Sequence, residues 1–352
     1  MPSDNISLNV RPNVTARGNT GLIATFPCGD YAVAAAANGR VFAVALGDGT
    51  VRLIDSETLD AESITVRAHD GAALCLTADT EKGAFLSGGD DGKLVRSTFA
   101  GAPEVIAEVK GRWIEHVTAH TGSGVRAYAS GKDAYVIGKK GGAARKLTHA
   151  TSVGGLAINP KGKRLAVTHY NGVSLWWLAS QSAEATRLEW KGSHLQVIWS
   201  PDGDYVMTAM QENSLHGWRL SDGEHMRMSG YATKVRSMAF SRRGHFLATG
   251  GSERVVCWPF TGGGPMGKAP TEFGGAGEAF VTAVAAHPLH DVFAAAFDNG
   301  ALLIGQPGAG GVRLVMKPNG NAVTCLVWSP DGEKLLAGTE NGDIHVADFR
   351  PA

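Results

Sequence analysis

The sequence predicts an all-β chain of repeated four-stranded sheets closed into a ring, a β-propeller, and three observations predict it. A unit of about forty residues recurs along the chain. Two separate turn landmarks keep that same step. The apolar runs between the turns are short and nearly continuous, as in strands covered on both faces. The repeat is plainest between residues 195 and 260. There Gln196-Val-Ile-Trp-Ser-Pro-Asp-Gly203 leads to Tyr205-Val-Met-Thr208, a polar turn and Leu215-His-Gly-Trp218. Met238-Ala-Phe-Ser-Arg-Arg-Gly244 then leads to Phe246-Leu-Ala-Thr249, a polar turn and Val255-Val-Cys-Trp258.

The first landmark is the turn between the first and second strands of each unit. It falls at Gly39, Gly83, Gly124, Gly162, Gly203, Gly244 and Gly332, with His290 holding the place between the last two, at intervals of 38 to 46 residues. The second is the polar turn before the third strand: Asp48-Gly49, Asp91-Gly92, Gly131-Lys132, Asn171-Gly172, Glu212-Asn213, Ser252-Glu253, Asn299-Gly300 and Asn341-Gly342. Asn-Gly and Asp-Gly tolerate the positive φ of tight hairpins, so hairpins are expected at most of these positions. Both landmarks count eight modules.

In order, module one covers residues 31–64, with Val51-Arg-Leu-Ile-Asp55 as its third strand, and module two covers 68–109, opening on Ala68-His69-Asp-Gly-Ala-Ala-Leu-Cys-Leu76. Module three, 111–147, is the least regular, with Trp113 in its first strand and a basic outer segment containing Lys139, Lys140, Arg145 and Lys146. Module four, 149–188, ends its third strand on Leu175-Trp176. Modules five and six are the two copies quoted above. Module seven runs over about 277–315 and module eight over about 321–349, where Val327-Trp-Ser-Pro-Asp-Gly332 returns. Eight blades are expected, with seven as the alternative if module three is not a complete blade.

The chain stops shortly after the third strand of module eight, at Ala352. The first 29 residues supply two candidates for the missing fourth strand, Ile6 to Val10 and Gly21 to Phe26. One of them is expected to pair with the last module, closing the ring and covering an edge that would otherwise invite aggregation. Residues 1–352 are thus read as one propeller domain.

An apolar strand ending in Ser-Pro-Asp-Gly, a Thr-bearing second strand and a Trp in the third resemble the WD-repeat β-propeller family, and the resemblance covers essentially the whole chain as a divergent member. In that family a His before the first strand, a Ser or Thr in the second, an Asp in the turn and a Trp in the third form a buried hydrogen-bonded chain. The matching positions are His69, Ser87 and Asp91 in module two and His149 and Trp176 in module four. Module five has Thr208, Glu212 and Trp218, and module six has Thr249 and Trp258. Ser97, Ile54, Gly305 and Ala347 stand where other modules would carry the Trp. The resemblance implies structural polar networks at these residues.

Composition narrows the function. Thirty-three basic residues balance 33 acidic ones, so no global field draws in nucleic acid or an anionic membrane. The Lys139 to Lys146 cluster is the one local exception. No basic start leads into an apolar leader, and no run approaches the length needed to cross a bilayer, so a cytoplasmic protein is expected. Cys28, Cys75, Cys257 and Cys325 lie far apart, with no Cys-x-x-Cys pair, and read as reduced thiols.

Gly262-Gly-Gly-Pro-Met-Gly267-Lys268-Ala269 nearly spells a phosphate-binding loop. Ala269 replaces the Ser or Thr that would meet Mg²⁺, and Pro270 opposes the helix that would hold phosphates, so the segment reads as a linker. His116 and His120 would stand about 13 Å apart on a strand, too far for one ion. His287 and His290 flank a Pro turn beside Asp291, an incomplete ligand spacing that reads as a solvated turn. No catalytic, cofactor or metal residue is assigned.

What remains is surface. Loops leading into the first strands and turns before the third strands gather on one face of a propeller, which in the resembling family commonly binds proteins. At or near it fall Arg112, Trp113, Trp190, His194, Tyr231, Lys234, Arg236 and Phe280. Trp, Tyr and Arg are enriched at interface hot spots, so these residues form the candidate partner-binding face. The opposing reading is that Trp113, Trp190 and Phe280 pack between blades. The function expected is a non-enzymatic scaffold for one or more protein partners. The alternative is an enzyme, or a binder of a small ligand or metal, using the central channel.

Overall fold

The computed structural model describes residues 13–18, 21–180, 184–308 and 311–350. Every regular element of the described residues is a strand or a bridge, and there is no α-helix among them. Every strand pairing among the described residues is antiparallel, for example Ala32–Asn38 with Val41–Leu46 and Val41–Leu46 with Thr50–Asp55 in module one. Second strands are the most deeply covered, being buried along their whole length at Val41–Leu46, Ala84–Gly89, Tyr205–Met210 and Lys334–Thr339. That is why their sequences lack the in-out alternation of a half-exposed sheet.

The strands of the described residues form seven hydrogen-bonded sheets, the number held as the alternative and not eight separate ones. The physical reason differs from the one expected. Module three is complete, with four strands at His116–His120, Val125–Ser130, Asp133–Ile137 and Arg145–Thr148. Instead modules four and five run together in one six-stranded sheet. Arg164–Trp177 pairs through its first part with Gly155–Ile158 and through its second with Thr186–Trp199. The latter strand carries on to pair with Tyr205–Met210. Inside Arg164–Trp177 the turn at Asn171, φ 69°, is the only positive φ outside glycine among the described residues. The Leu178 amide bonds to the Lys163 carbonyl at 2.9 Å, the same closure that Phe260 makes to His245 and Phe349 to Glu333 at 2.8 Å. Each long strand therefore serves as two shorter ones, and the seven sheets carry the eight repeats.

Packing follows the repeats. Apolar clusters fill the gap between each module and the next, from Val51, Leu53 and Phe85 between modules one and two to Leu165, Val167 and Ala127 between three and four and Val206, Trp218 and Leu175 between four and five. Phe26, Phe42 and Leu336 fill the gap between module eight and module one.

Side chains tie the innermost strands together. Gln196 Nε2 donates to the Arg236 carbonyl at 2.8 Å, Thr282 Oγ1 to that of Val323 at 2.6 Å, and Thr324 Oγ1 to that of Ala32 at 2.5 Å. The Trp of each Trp-Ser-Pro-Asp-Gly copy does the same: Trp199 Nε1 donates to Ala157 O at 3.0 Å and Trp328 Nε1 to Ala285 O at 3.2 Å. The turn after that Trp is built by its own residues. Ser200 Oγ accepts the Tyr205 amide at 2.9 Å and Ser200 O the Gly203 amide at 2.9 Å, with Gly203 at φ 81°, where a Cβ would be strained.

Gly21–Pro27 pairs antiparallel with Asp343–Asp348 and supplies the last blade's fourth strand, while Asn13–Gly18 folds back on it as a fifth. The other candidate, Ile6 to Val10, lies outside the described residues.

Candidate functional site

In module two the buried His69 ring donates from one nitrogen and accepts at the other. Nδ1 lies 3.0 Å from Asp91 Oδ1, and Nε2 lies 2.9 Å from Ser87 Oγ. Asp91 also accepts the Lys93 and Asp70 amides at 3.0 and 3.2 Å, so the turn and the strand are locked by one carboxylate. Burial lowers the His69 pKa below its ordinary 6.5, against the opposing pull of Asp91. A satisfied ring of this kind stabilises the blade and leaves no free lone pair for chemistry.

Modules four, five and six vary the theme. Trp176 Nε1 donates to His149 Nε2 at 3.1 Å. His194 Nδ1 lies 2.8 Å from Thr208 Oγ1, whose hydroxyl reaches the His216 carbonyl at 3.0 Å. Tyr231 Oη lies 2.8 Å from Thr249 Oγ1 and accepts the Trp258 indole at 2.7 Å.

His194 and Tyr231 are thereby removed from the partner-binding face. They are 1% and 7% exposed and occupy the network position that His69 holds in module two. Glu212 is exposed and stands outside the module-five network, and Trp218 lies buried against the His194 ring at 5.7 Å without joining by a hydrogen bond. Trp190 packs in the manner of the opposing reading, its indole stacked on the His216 ring at 4.0 Å and 16°. A Tyr substituting for the network His carries no local signal in sequence, since both are large polar aromatics before a strand.

The remaining candidates lie on loops that lead into first strands. Trp113 is 58% exposed and Arg112 is exposed beside it, on the loop before His116–His120 and not in that strand as expected. The structure adds two aromatics missed in sequence, Tyr31 at 48% on the loop into module one and Tyr170 at 49% in the turn of module four. Both sit where a polar or small residue stands in neighbouring modules. Trp177, the fourth exposed aromatic of the described residues, lies with its ring 4.4 Å from the Arg164 guanidinium. Lys234, Arg236 and the half-buried Phe280 line a central cavity of about 1000 Å³, with Tyr31, Asp298 and Glu340 around it and Val284, Ile198 and Leu326 in its wall. Lys234 Nζ donates to Gln211 Oε1 at 2.8 Å.

A second cavity of about 1090 Å³ lies beside His149, His169, Trp176 and Arg187, within module four and where it runs on into module five. The His149 pKa falls to about 4, chiefly through burial and then through the nearby His169. His169 is itself engaged, Nδ1 with Tyr170 O at 2.8 Å and Nε2 with Ser174 Oγ at 2.9 Å.

The other sequence motifs take structural places. Lys268 Nζ reaches back to the carbonyls of Thr261 and Gly262 and so closes its own loop. His287 and His290 stack at 4.9 Å, and His287 Nε2 lies 3.1 Å from Gly332 O. His120 is held by Ser123 Oγ at 3.0 Å and Pro160 O at 3.1 Å. Among the described residues no group of three or more His, Cys, Asp or Glu is placed to hold a metal ion. All four cysteines are free thiols. In the basic segment, Lys146 pairs with Asp133 at 3.0 Å and Arg145 donates to Trp177 O at 3.1 Å. No helix of the described residues is long and apolar enough to cross a membrane.

Comparison with known proteins agrees with this architecture. The family model described as WD domain, G-beta repeat matches residues 224–258 and 312–348, each running from the outer strand of one module through three strands of the next. The chain is 24% identical over 349 residues to Telomerase protein component 1 of Rattus norvegicus, covering 94% of this chain but only 13% of that protein. It is 21% identical over 319 residues to Autophagy-related protein 16 of Arabidopsis thaliana, covering 84% of this chain and 60% of that one. The crystal structure of the computationally designed Ika8 protein shares the fold with a TM-score of 0.72 at 15% identity, over 91% of this chain and 96% of that one. The chain is thus a β-propeller that carries WD repeats at residues 224–258 and 312–348, with buried polar networks inside its blades.

Proposed function

We propose that this propeller is a binding platform for a partner protein, docked on the face that carries Tyr31, Trp113 and Tyr170. The observation that carries the reading is their shared exposure. Three of the four exposed aromatics of the described residues lie on that face, in loops anchored by a rigid ring. Large aromatics held in water by a fixed backbone lose little conformational freedom on docking, which is why they dominate interface energetics. Arg112 and Arg236 stand on the same face, both exposed, and suit the polar rim of such a contact. The sealed networks of His69, His194 and Tyr231 support binding without chemistry, because their polar atoms are consumed inside the blades. The relatives' names fit a part of a larger assembly, since one is called a protein component.

The test is capture of partners by the tagged chain from its own cells, compared with Trp113→Ala and Tyr170→Ala. A protein retained in stoichiometric amount by the parent and lost from both folded variants supports the platform. Equal recovery by parent and variants overturns this face as the contact.

A further inference from the structure

The mouth of the central cavity carries charges that nothing in the fold neutralises. Among the described residues the Arg236 guanidinium has no carboxylate partner, and Asp298 and Glu340 have no cation. The two carboxylates are nevertheless fixed. Asp298 Oδ1 accepts the Phe280 amide at 3.0 Å, and Glu340 Oε1 accepts the Ala322 amide at 3.0 Å. Each is thereby held at the start of an innermost strand. In ring order the mouth presents Lys234, bonded to Gln211, and Arg236 from module six, Phe280 and Asp298 from module seven, Glu340 from module eight and Tyr31 from module one. Beneath them the wall mixes apolar side chains, Ile198, Val284 and Leu326, with the hydroxyls of Ser237, Thr282 and Thr324 around about 1000 Å³ of space.

Unpaired charges of both signs held around a hollow of mixed polarity favour one kind of occupant. A wholly apolar ligand would leave Arg236 and both carboxylates desolvated without partners, which is unfavourable. A wholly acidic or wholly basic ligand would satisfy one sector and be repelled by the other. We propose that this mouth seats an extended segment of the partner protein that carries an acidic side chain against Arg236, an apolar side chain against Phe280 and the cavity wall, and basic side chains against Asp298 and Glu340. The assignment rests on the platform reading above and adds the chemistry of the docked segment. Tyr31, at the end of the arc, offers a ring face to the last basic side chain. The balanced charge of the whole chain conceals this local polarity, because the two signs are segregated on one face.

The test is selection of short random peptides displayed on phage against the intact chain, followed by affinity measurement on synthesised winners. The expected winners carry an acidic and a basic residue on either side of an apolar one. Arg236→Gln should weaken them about tenfold, and so should Glu340→Gln, which keeps the acceptor for the Ala322 amide. Neutralising the peptide's basic residue should then cost little further in Glu340→Gln, the coupling that a direct pair requires. Winners lacking either charge, winners unaffected by both variants, or no winners at all overturn the inference. The platform reading is judged separately. A native partner lost from Trp113→Ala but retained by Arg236→Gln and Glu340→Gln leaves the platform standing without this segment, whereas a partner retained by all three variants removes both.

Discussion

Lys334 Nζ lies 3.0 Å from Glu57 Oε1, an ion pair that spans 277 positions of the chain and fastens the last module to the first. The Lys334 side chain is wholly buried, while Glu57 keeps 43% of its exposure. Arg350 adds a second cation to the same carboxylate at 2.8 Å and is itself held by Asp348 at 2.7 Å. The latch sits on the face opposite the proposed docking loops, where a second strand begins and a third strand ends. Backbone pairing of Gly21–Pro27 closes the ring at its rim, and this cluster closes it on the far face.

Glu57→Ala should therefore lower stability by about 2 kcal/mol, the scale of a hydrogen bond to a charged group whose partner stays buried. The effect has a pH signature. The hydrogen bond from Lys334 holds the Glu57 carboxyl below its ordinary 4.5. A depressed folded value means that the stabilisation is present above 4.5 and disappears as pH falls through the folded value. Urea unfolding of parent and variant should differ at neutral pH and converge in strong acid. A constant difference across that range would contradict the latch.

The ring, its closure and its networks were readable because each rests on a local pattern. The Gly turns repeat, the Trp-Ser-Pro-Asp-Gly copies repeat, and His69, Ser87 and Asp91 stand at family spacings. Merging of modules four and five was not readable, since Asn171-Gly172 looks like any other hairpin pair and the junction depends on how the strand beyond Trp190 continues. The site was half readable. Trp113 and Arg236 are exposed as expected, but His194 and Tyr231 face inward, because which side of a strand a loop residue joins is settled by the neighbouring blade. Tyr31 and Tyr170 belong to no motif, so no periodicity singles them out.

Tyr231→Phe tests the reassignment of that residue from surface to network. Its hydroxyl lies 2.8 Å from Thr249 Oγ1 and receives the Trp258 indole at 2.7 Å. Phe keeps the ring and leaves the Trp258 donor without its acceptor, at a cost of about 1 to 3 kcal/mol. Thermal unfolding should shift downward while capture of a partner by the folded protein is unchanged. A variant with parental melting and lost capture would return Tyr231 to the interface.

His216 is the opposite case. Its ring is fully buried, neither nitrogen has a hydrogen-bond partner among the described residues, and it lies stacked between Trp190 and His225. Burial first, then the neighbouring His225 and His194, depress its pKa to about 3. The neutral ring is thus compatible with the fold above the ordinary value of 6.5, and stability is lost as pH falls from there through about 3. His216→Phe keeps the stack and removes the unsatisfied nitrogens. It should leave neutral-pH stability unchanged or raise it by about 1 kcal/mol, and flatten the loss between the two values. A variant less stable at neutral pH would mean that the nitrogens are satisfied in solution.

The last prediction concerns closure itself. Gly21–Pro27 matches Asp343–Asp348 residue for residue, from Leu22 opposite Asp348 to Pro27 opposite Asp343. Its Ala24 and Phe26 are wholly buried against Phe42, Leu336 and Val346. Phe26→Ala should cost about 3 to 5 kcal/mol as a core truncation while keeping the backbone pairing. A chain beginning at Asp30 loses both, leaves Asp343–Asp348 as an open edge and uncovers the cluster between modules eight and one. Such a chain should unfold without a cooperative transition or aggregate, and adding the missing strand as a separate peptide should recover part of the transition. An unchanged melting curve for the shortened chain would mean that the blade holds with three strands, and that the ring is kept closed by Lys334, Glu57 and the packing of neighbouring modules alone.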